Sequence, residues 1–571
     1  MPSDFESNGK NAKAPFTLRV HRGDGMALLA MNWKKGKPPR DFVGFGIEFR
    51  PPGAEKFLNV LNRINFPNSD GTVSGERRKS LESPIQKFRW VNFPAMKIPP
   101  GEFTYRVTAM FMDSAGNLRA GESQSASIEL NRETCPGQMN VTFTRGFIAS
   151  QAFVNQFDPK GDAIKQLLPS KSSKGLEFVP THPRAKAAYE WMGFEARGAI
   201  LDLLDQAISE DKKAQVRVVA YDLNQPEIVE RLEKLKDRLK VIIDDSGEHH
   251  EAESAESIAA QRLMKSAGKD HVKRQHLGQL QHNKTIIVDG PKIKAAIGGS
   301  TNFTWRGMYV QNNHAVVVQG QSAIAPFHAA FEQYWSSDTV SDFGGSPAAL
   351  WNDFGLKKLD ARVSFSPHSK NNALLQEIAD DILTTKSSLF YSLAFLYQTK
   401  GTIRDAIEEV TNRNGVFVYG VSDKKVGGLQ LLKPDGNLAP VRPESLSKNV
   451  PEPFKSEPTG GGGNRMHHKF VVIDFGLPSA RVYFGSYNFS GTADTKNGEN
   501  LFCVRDRRVA VSFAIEALRI FDHYHFRVTQ AEGQKARKQI ALQLPPQAGE
   551  TAWWEPFYTD PIRIRDRELF S

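Results

Sequence analysis

Two stretches of this 571-residue chain carry the same reactive side chains in the same order. The first reads His282-Asn283-Lys284-Thr285-Ile286-Ile287-Val288-Asp289 and is followed, past a Gly290-Pro291 turn, by Gly299, Ser300 and Asn302. The second reads His467-His468-Lys469-Phe470-Val471-Val472-Ile473-Asp474 and is followed by Gly485, Ser486 and Asn488. An imidazole can attack, accept a proton or donate one near neutrality, and a lysine ammonium draws anions. Positions two apart on a strand point to one face, so each His-x-Lys projects an imidazole and an ammonium together while TIIV or FVVI forms a buried run. A second strand after the turn brings a serine and an asparagine to the same rim. The doubled pattern therefore offers two imidazoles, two ammoniums, two hydroxyls and two amides, which is an anion site with an acid and a base. A lone His-x-Lys would read as a solvated strand edge. Recurrence of the whole pattern in matching surroundings points to chemistry.

HxKx4D followed by GSxN, present twice, resembles the HKD motif of the phospholipase D superfamily, over residues from about 142 to 520. The resemblance implies a phosphodiester hydrolase or transferase that works through a covalent phosphohistidine without a metal or other cofactor. It implies a catalytic set of His282, Lys284, Asp289, His467, Lys469, Asp474 and Glu499, with Ser300, Asn302, Ser486 and Asn488 on the substrate phosphate. In that family a carboxylate about eleven residues after GSxN orients a catalytic imidazole. Glu499 fills the place in the second copy, whereas the first copy has Asn313. The resemblance favours His282 as nucleophile and His467 as acid. Whether Glu499 reaches across to His282 or stays with His467 is left open by the sequence.

The elements that must position these residues repeat as well. Glu195 to Lys213, VRVVAYDL, PEIVERLEKLKDRL and KVIIDD read as helix, strand, helix and strand; NALLQEIADDILTTK, LFYSLAFL, TIRDAIEEVTNRNG and VFVYGVSD repeat that order. Before them, the short alternating runs FTLRV, ALLAMNW, FVGFGIEF, KFRWVNF, FTYRVTAMF and SASIEL predict an immunoglobulin-like or fibronectin-like β-sandwich. The expected fold is thus α/β, two tandem phospholipase D-like repeats packed as a pseudo-dimer behind an all-β sandwich. Its expected parts are a sandwich over 1–141, repeats over 142–345 and 346–530, and a tail over 531–571. The sandwich reads as a spacer or packing partner rather than a binding surface, and the aromatic pairs Trp553-Trp554 and Phe557-Tyr558 as a tail that docks onto the protein rather than a membrane patch. Trp305, Tyr397 and Tyr487 lie near motif segments and can line the pocket or the core. The acidic insertion Asp245 to Ala267, with His249 and His250, reads as a solvated loop and helix cap, a metal site being the other reading. Lys424 to Asn464, which closes with Gly460 to Gly463, is expected to be a loop that gates the site.

Composition narrows the function classes. With 40% hydrophobic and 24% charged residues the chain is globular, and 74 Lys plus Arg against 64 Asp plus Glu gives +10, a mild attraction to polyanions. Two distant cysteines, Cys135 and Cys503, argue against disulfide scaffolds and structural zinc. An acidic N-terminus without an apolar run, and no long apolar stretch elsewhere, predict a cytoplasmic protein without a membrane span. The leading expectation is a phospholipase D acting peripherally on phospholipid, with possible transfer to alcohols. A nuclease of the same superfamily, acting on DNA or RNA, is the alternative favoured by the basic balance. A non-catalytic binding module is disfavoured because the His, Lys, Asp, Ser and Asn of the motif are intact in both copies. A monomer with an internal pseudo-two-fold is expected.

Overall fold

A computed structural model describes the chain except for residues 1–3, 95–98, 131, 147–150, 160, 395, 397–400, 424–428, 433–437, 442–465 and 536–539. It divides into two units, one holding Met1–Arg132 and Val511–Ser571 and the other holding Glu133–Leu431 and Leu438–Ala510.

The second unit contains both repeats, each built on a mixed sheet. In the first, the strands run in the order Met139–Phe143, His314–Gln319, Lys294–Gly299, Lys284–Asp289, Gln215–Ala220, Leu239–Asp244, Val272–Gln275. In the second, Asp360–Ser366, Glu499–Arg505, Arg481–Gly485, Lys469–Ile473, Ser388–Leu393 and Phe417–Asp423 occupy the first six of those places in the same order. The match extends to direction. Gln215–Ala220 pairs in parallel with Leu239–Asp244, and Ser388–Leu393 with Phe417–Asp423, while each motif strand is antiparallel to both its neighbours.

These strands are apolar without alternation because both faces are covered. Ile286, Ile287 and Val288, and Val471, Val472 and Ile473, have essentially no exposed surface. The helix Pro226–Leu235 shows how a face is covered: proline opens its first turn, and Ile228, Val229, Leu232 and Leu235 form a buried stripe at helical spacing. Thr402–Thr411 does the same work in the second repeat, burying Ile403, Ala406, Ile407 and Val410.

The first unit is built from two four-stranded antiparallel sheets, with Phe16–Arg22, Ala27–Trp33 and Arg89–Asn92 in one and Phe42–Arg50, Gly101–Met112 and Leu118–Leu130 in the other. Alternate residues Phe16, Leu18 and Val20 of the first sheet and Phe103, Tyr105 and Val107 of the second enter one shared core. Trp553 and Trp554 are members of that core. The Trp553 ring stacks on Phe88 at 5.4 Å, and its indole N–H donates to the Phe42 carbonyl at 3.0 Å. The C-terminal aromatics are therefore structural, packed into the sandwich core by their rings, with Trp553 also satisfied at its polar edge.

Candidate functional site

Each motif histidine sits just before its strand and each lysine at the strand's first position, so the reactive pair occupies the strand's opening. The two imidazole rings lie 6.4 Å apart, one from each repeat. The Lys284 ammonium donates back to the His282 carbonyl, and Lys469 to the His467 carbonyl at 2.8 Å. Both lysines are 1% exposed. The neighbouring strands end in Gly299 and Gly485, with φ of 131° and 152°, and a Cβ there would stand 2.5 Å from the His314 carbonyl oxygen or 2.1 Å from that of Asn500. Only glycine permits that close approach of neighbouring strands.

The repeats exchange partners. The Nδ1 of His282 is 2.7 Å from Oε2 of Glu499, a carboxylate of the second repeat with no exposed surface. The Nδ1 of His467 is 2.8 Å from Oδ1 of Asn313, an amide of the first repeat. Asn313 is held by its own Nδ2, which donates to the Gly307 carbonyl at 2.8 Å, so its oxygen faces the imidazole. Both acceptors require Nδ1–H, which leaves Nε2 of each imidazole as the atom with a free lone pair. A second exchange flanks the first. Asn500 donates to Asn283 at 3.1 Å, and in the mirrored place the His314 and His468 rings stack nearly parallel with their Nδ1 atoms 3.2 Å apart. The pseudo-two-fold is thus kept in geometry and broken in chemistry: a carboxylate supports one imidazole, and an amide supports the other.

Burial pushes the His282 imidazole below its ordinary value, against the pull of Glu499. Burial pushes His467 well below, and the ammoniums of Lys469 and Lys284 add to that effect. Burial also lowers Lys284 to about 7, opposed by Glu499 and Asp222. Removing solvent from cations raises their appetite for an anion, which is the electrostatic requirement for holding a phosphodiester.

The motif residues separate by location. His282, His467, Lys284, Lys469 and Glu499 converge. The serine hydroxyls do not reach that opening. Ser300 donates to Asn313 at 2.9 Å and accepts from the His314 N–H at 3.1 Å, Ser486 accepts from the Asn500 N–H at 2.9 Å, and neither serine has exposed surface. They hold the rims. Asn302 donates through Nδ2 to Asp222 at 2.5 Å, and the Oδ1 atoms of Asn302 and Asn488 are buried without a hydrogen-bond partner. The aspartates lie at the far end of the motif strands. Asp474 accepts from the backbone N–H groups of Lys386 at 3.0 Å, Ser387 at 2.7 Å and Ser388 at 3.2 Å, and Asp289 pairs with Lys294 at 2.6 Å. A strand advances about 3.3 Å per residue, so five residues put these carboxylates about 16 Å from the lysines. Their spacing in the sequence is the length of the motif strand.

Trp305 and Tyr487 are buried core residues. Tyr397 and most of the Lys424 to Asn464 segment lie outside the described residues. Sequence reasoning passed over Tyr221, whose ring is 4.6 Å from His282 and 4.7 Å from the Lys284 ammonium. It also passed over Asn283, His314, His468 and Asn500; their signal was adjacency, since each stands beside a motif residue or its cross-repeat partner. His249, expected in a solvated loop, is instead half-enclosed between Asp222 at 3.0 Å and Asp244 at 2.7 Å.

A family model described as "Cardiolipin synthase, PLD-like domain" matches residues 201–335 and 378–523, one segment per repeat. Among solved structures the chain is similar to polyphosphate kinase from Porphyromonas gingivalis, at 13% identity over 54% of this chain and 42% of that one, with a TM-score of 0.34. It is similar to phosphatidylserine synthase from Haemophilus influenzae, at 14% identity over 61% of this chain and 94% of that one, with a TM-score of 0.40. It is also similar to the phospholipase D family member Nuc from Salmonella typhimurium, at 26% identity over 25% of this chain and 84% of that one, with a TM-score of 0.19. The chain spans less than half the length of the polyphosphate kinase chain. No curated protein matches it.

Proposed function

We propose, on the premise that this chain with its two phospholipase D-like repeats is a phosphodiester-acting enzyme of the phospholipase D superfamily, that it cleaves the headgroup diester of a phospholipid through a phosphohistidine. The observation that carries the reading is the pair of facing imidazoles, each fixed through Nδ1 by a residue of the other repeat, between two buried ammoniums.

In the proposed cycle the His282 Nε2 lone pair attacks phosphorus. The bond from phosphorus to the leaving oxygen breaks, and that oxygen takes the Nε2 proton of His467, which enters this step as an imidazolium because the anionic diester bound beside it offsets the burial that otherwise keeps it neutral. The imidazole of His282 becomes cationic as the P–N bond forms, and the Glu499 carboxylate stabilises that charge. Neutral His467 then takes a proton from water or an alcohol, whose oxygen attacks phosphorus as the P–N bond breaks. Lys284 and Lys469 balance charge on the non-bridging oxygens throughout.

Two features support a lipid over a nucleic acid as substrate: both half-sites lie in one chain with different supports, and the matching family model describes a lipid synthase. The purified protein is incubated in EDTA, and again with added Mn2+, with phospholipid vesicles plus ethanol and in parallel with single-stranded and duplex DNA. Phosphatidylethanol is the expected product. Shortened DNA without lipid turnover would make the enzyme a nuclease, and turnover of neither would remove the reading.

A further inference from the structure

Beside the first half-site, and outside the motif, lies a group of side chains that the phosphodiester chemistry does not use. Asp222, at the end of the Gln215–Ala220 strand, His249, on a turn after Leu239–Asp244, and Glu256, in the first turn of the helix Ala255–Ala267, each turn one ligand-type atom inward, and these atoms lie within 4.8 Å of one another. We propose that they form a binding site for one first-row divalent cation, of the kind that takes mixed imidazole and carboxylate donors.

The imidazole is set as a metal-bound histidine is set. Its Nδ1 is 2.7 Å from Asp244, a carboxylate with no exposed surface, which leaves Nε2 turned toward Asp222 at 3.0 Å. A carboxylate behind a histidine fixes its tautomer and strengthens its donor nitrogen. The backbone behind the ring is also held: the His249 carbonyl accepts from Ser254 at 2.8 Å and from the Arg274 guanidinium at 2.6 Å. Asp244 is itself anchored, its other oxygen accepting from the Gln281 N–H at 2.6 Å, one residue before His282. Glu256 is 5% exposed and spends Oε1 on the Leu223 N–H at 2.9 Å.

A second observation comes from outside the group. Asn302 is 94% buried, its exposed fraction being 6%, and its amide touches Asp222, yet the Oδ1 of that amide has no partner. An amide oxygen is an acceptor and cannot be satisfied by an ionised phosphate oxygen; it takes a hydrogen-bond donor or a cation, and an ion held by Asp222 would supply the second. The ion would take the place of the His249 Nε2 proton, which leaves to solvent, and would hold Asp222 and Asn302 in one arrangement beside the phosphate position. One nitrogen and two carboxylates suit Zn2+ or Mn2+ over Mg2+, which favours oxygen and keeps its water.

The full chain, stripped with EDTA and desalted, is titrated with Mn2+ alone while free Mn2+ is followed by electron paramagnetic resonance, and with Zn2+ by calorimetry. One equivalent is expected to bind with micromolar affinity, weakened at least tenfold in both His249→Ala and Glu256→Gln. His467→Ala, which leaves the group intact, is expected to bind as the parent does. Glu256→Gln is nearly isosteric, and circular dichroism establishes that each variant is folded. Crystals soaked in Mn2+ should give an anomalous peak between Asp222 and His249. Binding absent below millimolar concentration, unchanged in both variants, or located at the motif histidines would overturn the proposal and make the group an ion-pair network.

Discussion

Replacing Glu499 with glutamine tests the proposed division of labour most directly. The carboxylate has no exposed surface and lies 2.7 Å from His282 Nδ1, while its other oxygen accepts from Asn497 Nδ2 at 3.3 Å. Loss of the charge alone removes a hydrogen bond to an ionised group, worth about 1.5–3 kcal/mol, and that converts to a loss of about 10- to 200-fold in the rate of forming a cationic phosphoimidazole. Orientation adds to this. A glutamine that keeps its oxygen toward Asn497 presents its NH2 to Nδ1, which forces the proton onto Nε2 and removes the attacking lone pair. The comparable tautomer error in a serine-protease triad costs about 10^4 in kcat. The expected loss therefore lies between about 10 and 10^4, in the first step. Rapid-quench measurements with bis(p-nitrophenyl) phosphate give the nitrophenolate burst, and acid-labile, alkali-stable phosphate is mapped by mass spectrometry. Burst rate should fall with its amplitude site unchanged at His282. A loss under threefold, or an undiminished burst followed by slow turnover with label on His467, would refute the argument.

His467→Asn should still form phosphohistidine at His282 from the nitrophenyl diester, because that leaving group needs no proton, but its hydrolysis should stall; label that fails to accumulate would exclude His467 as the acid and base. With Lys284 lowered to about 7, its charge is present below that pH and lost above it, so KM should rise by up to about tenfold per pH unit above 7, and Lys284→Arg, charged throughout, should abolish that slope. A KM flat to pH 9 in the parent would show that the ammonium does not hold the diester. Asp474→Ala strips the acceptor from three backbone N–H groups and should destabilise by about 3 kcal/mol, read as a lower melting temperature, with kcat of the folded fraction within about tenfold of the parent. A larger loss of kcat at unchanged melting temperature would return Asp474 to the chemistry.

The repeated helix and strand order was legible because both motif strands are continuous apolar runs with turn residues at their ends, and the sheets place them in matching positions. The convergence of His282, His467 and the two lysines followed from pattern alone. The fate of Glu499 did not, since the sequence holds the same glutamate whether it supports its own histidine or the other repeat's; only packing decides. Ser300 and Ser486 read as phosphate ligands because hydroxyls suit that task, but the glycine before each draws the strand so close to its neighbour that the hydroxyl is consumed by the adjoining backbone. His249 was misread for a simpler reason: its partners Asp222 and Asp244 lie 27 and 5 residues away (249 − 222 and 249 − 244), and the more distant one is brought in by sheet pairing.

Because each imidazole takes its support from the opposite repeat, neither half could work as a solitary unit. In an assembly of two identical chains, any change at the supporting position would alter both imidazoles at once. Once joined in a single polypeptide, the halves are inherited separately, so a glutamate can stand at 499 while an asparagine stands at 313. Covalent linkage thus turns a symmetric pair of interchangeable bases into two with different supports, and a circularly permuted chain that begins between the repeats should keep that distinction, whereas a homodimer of either half would lose it.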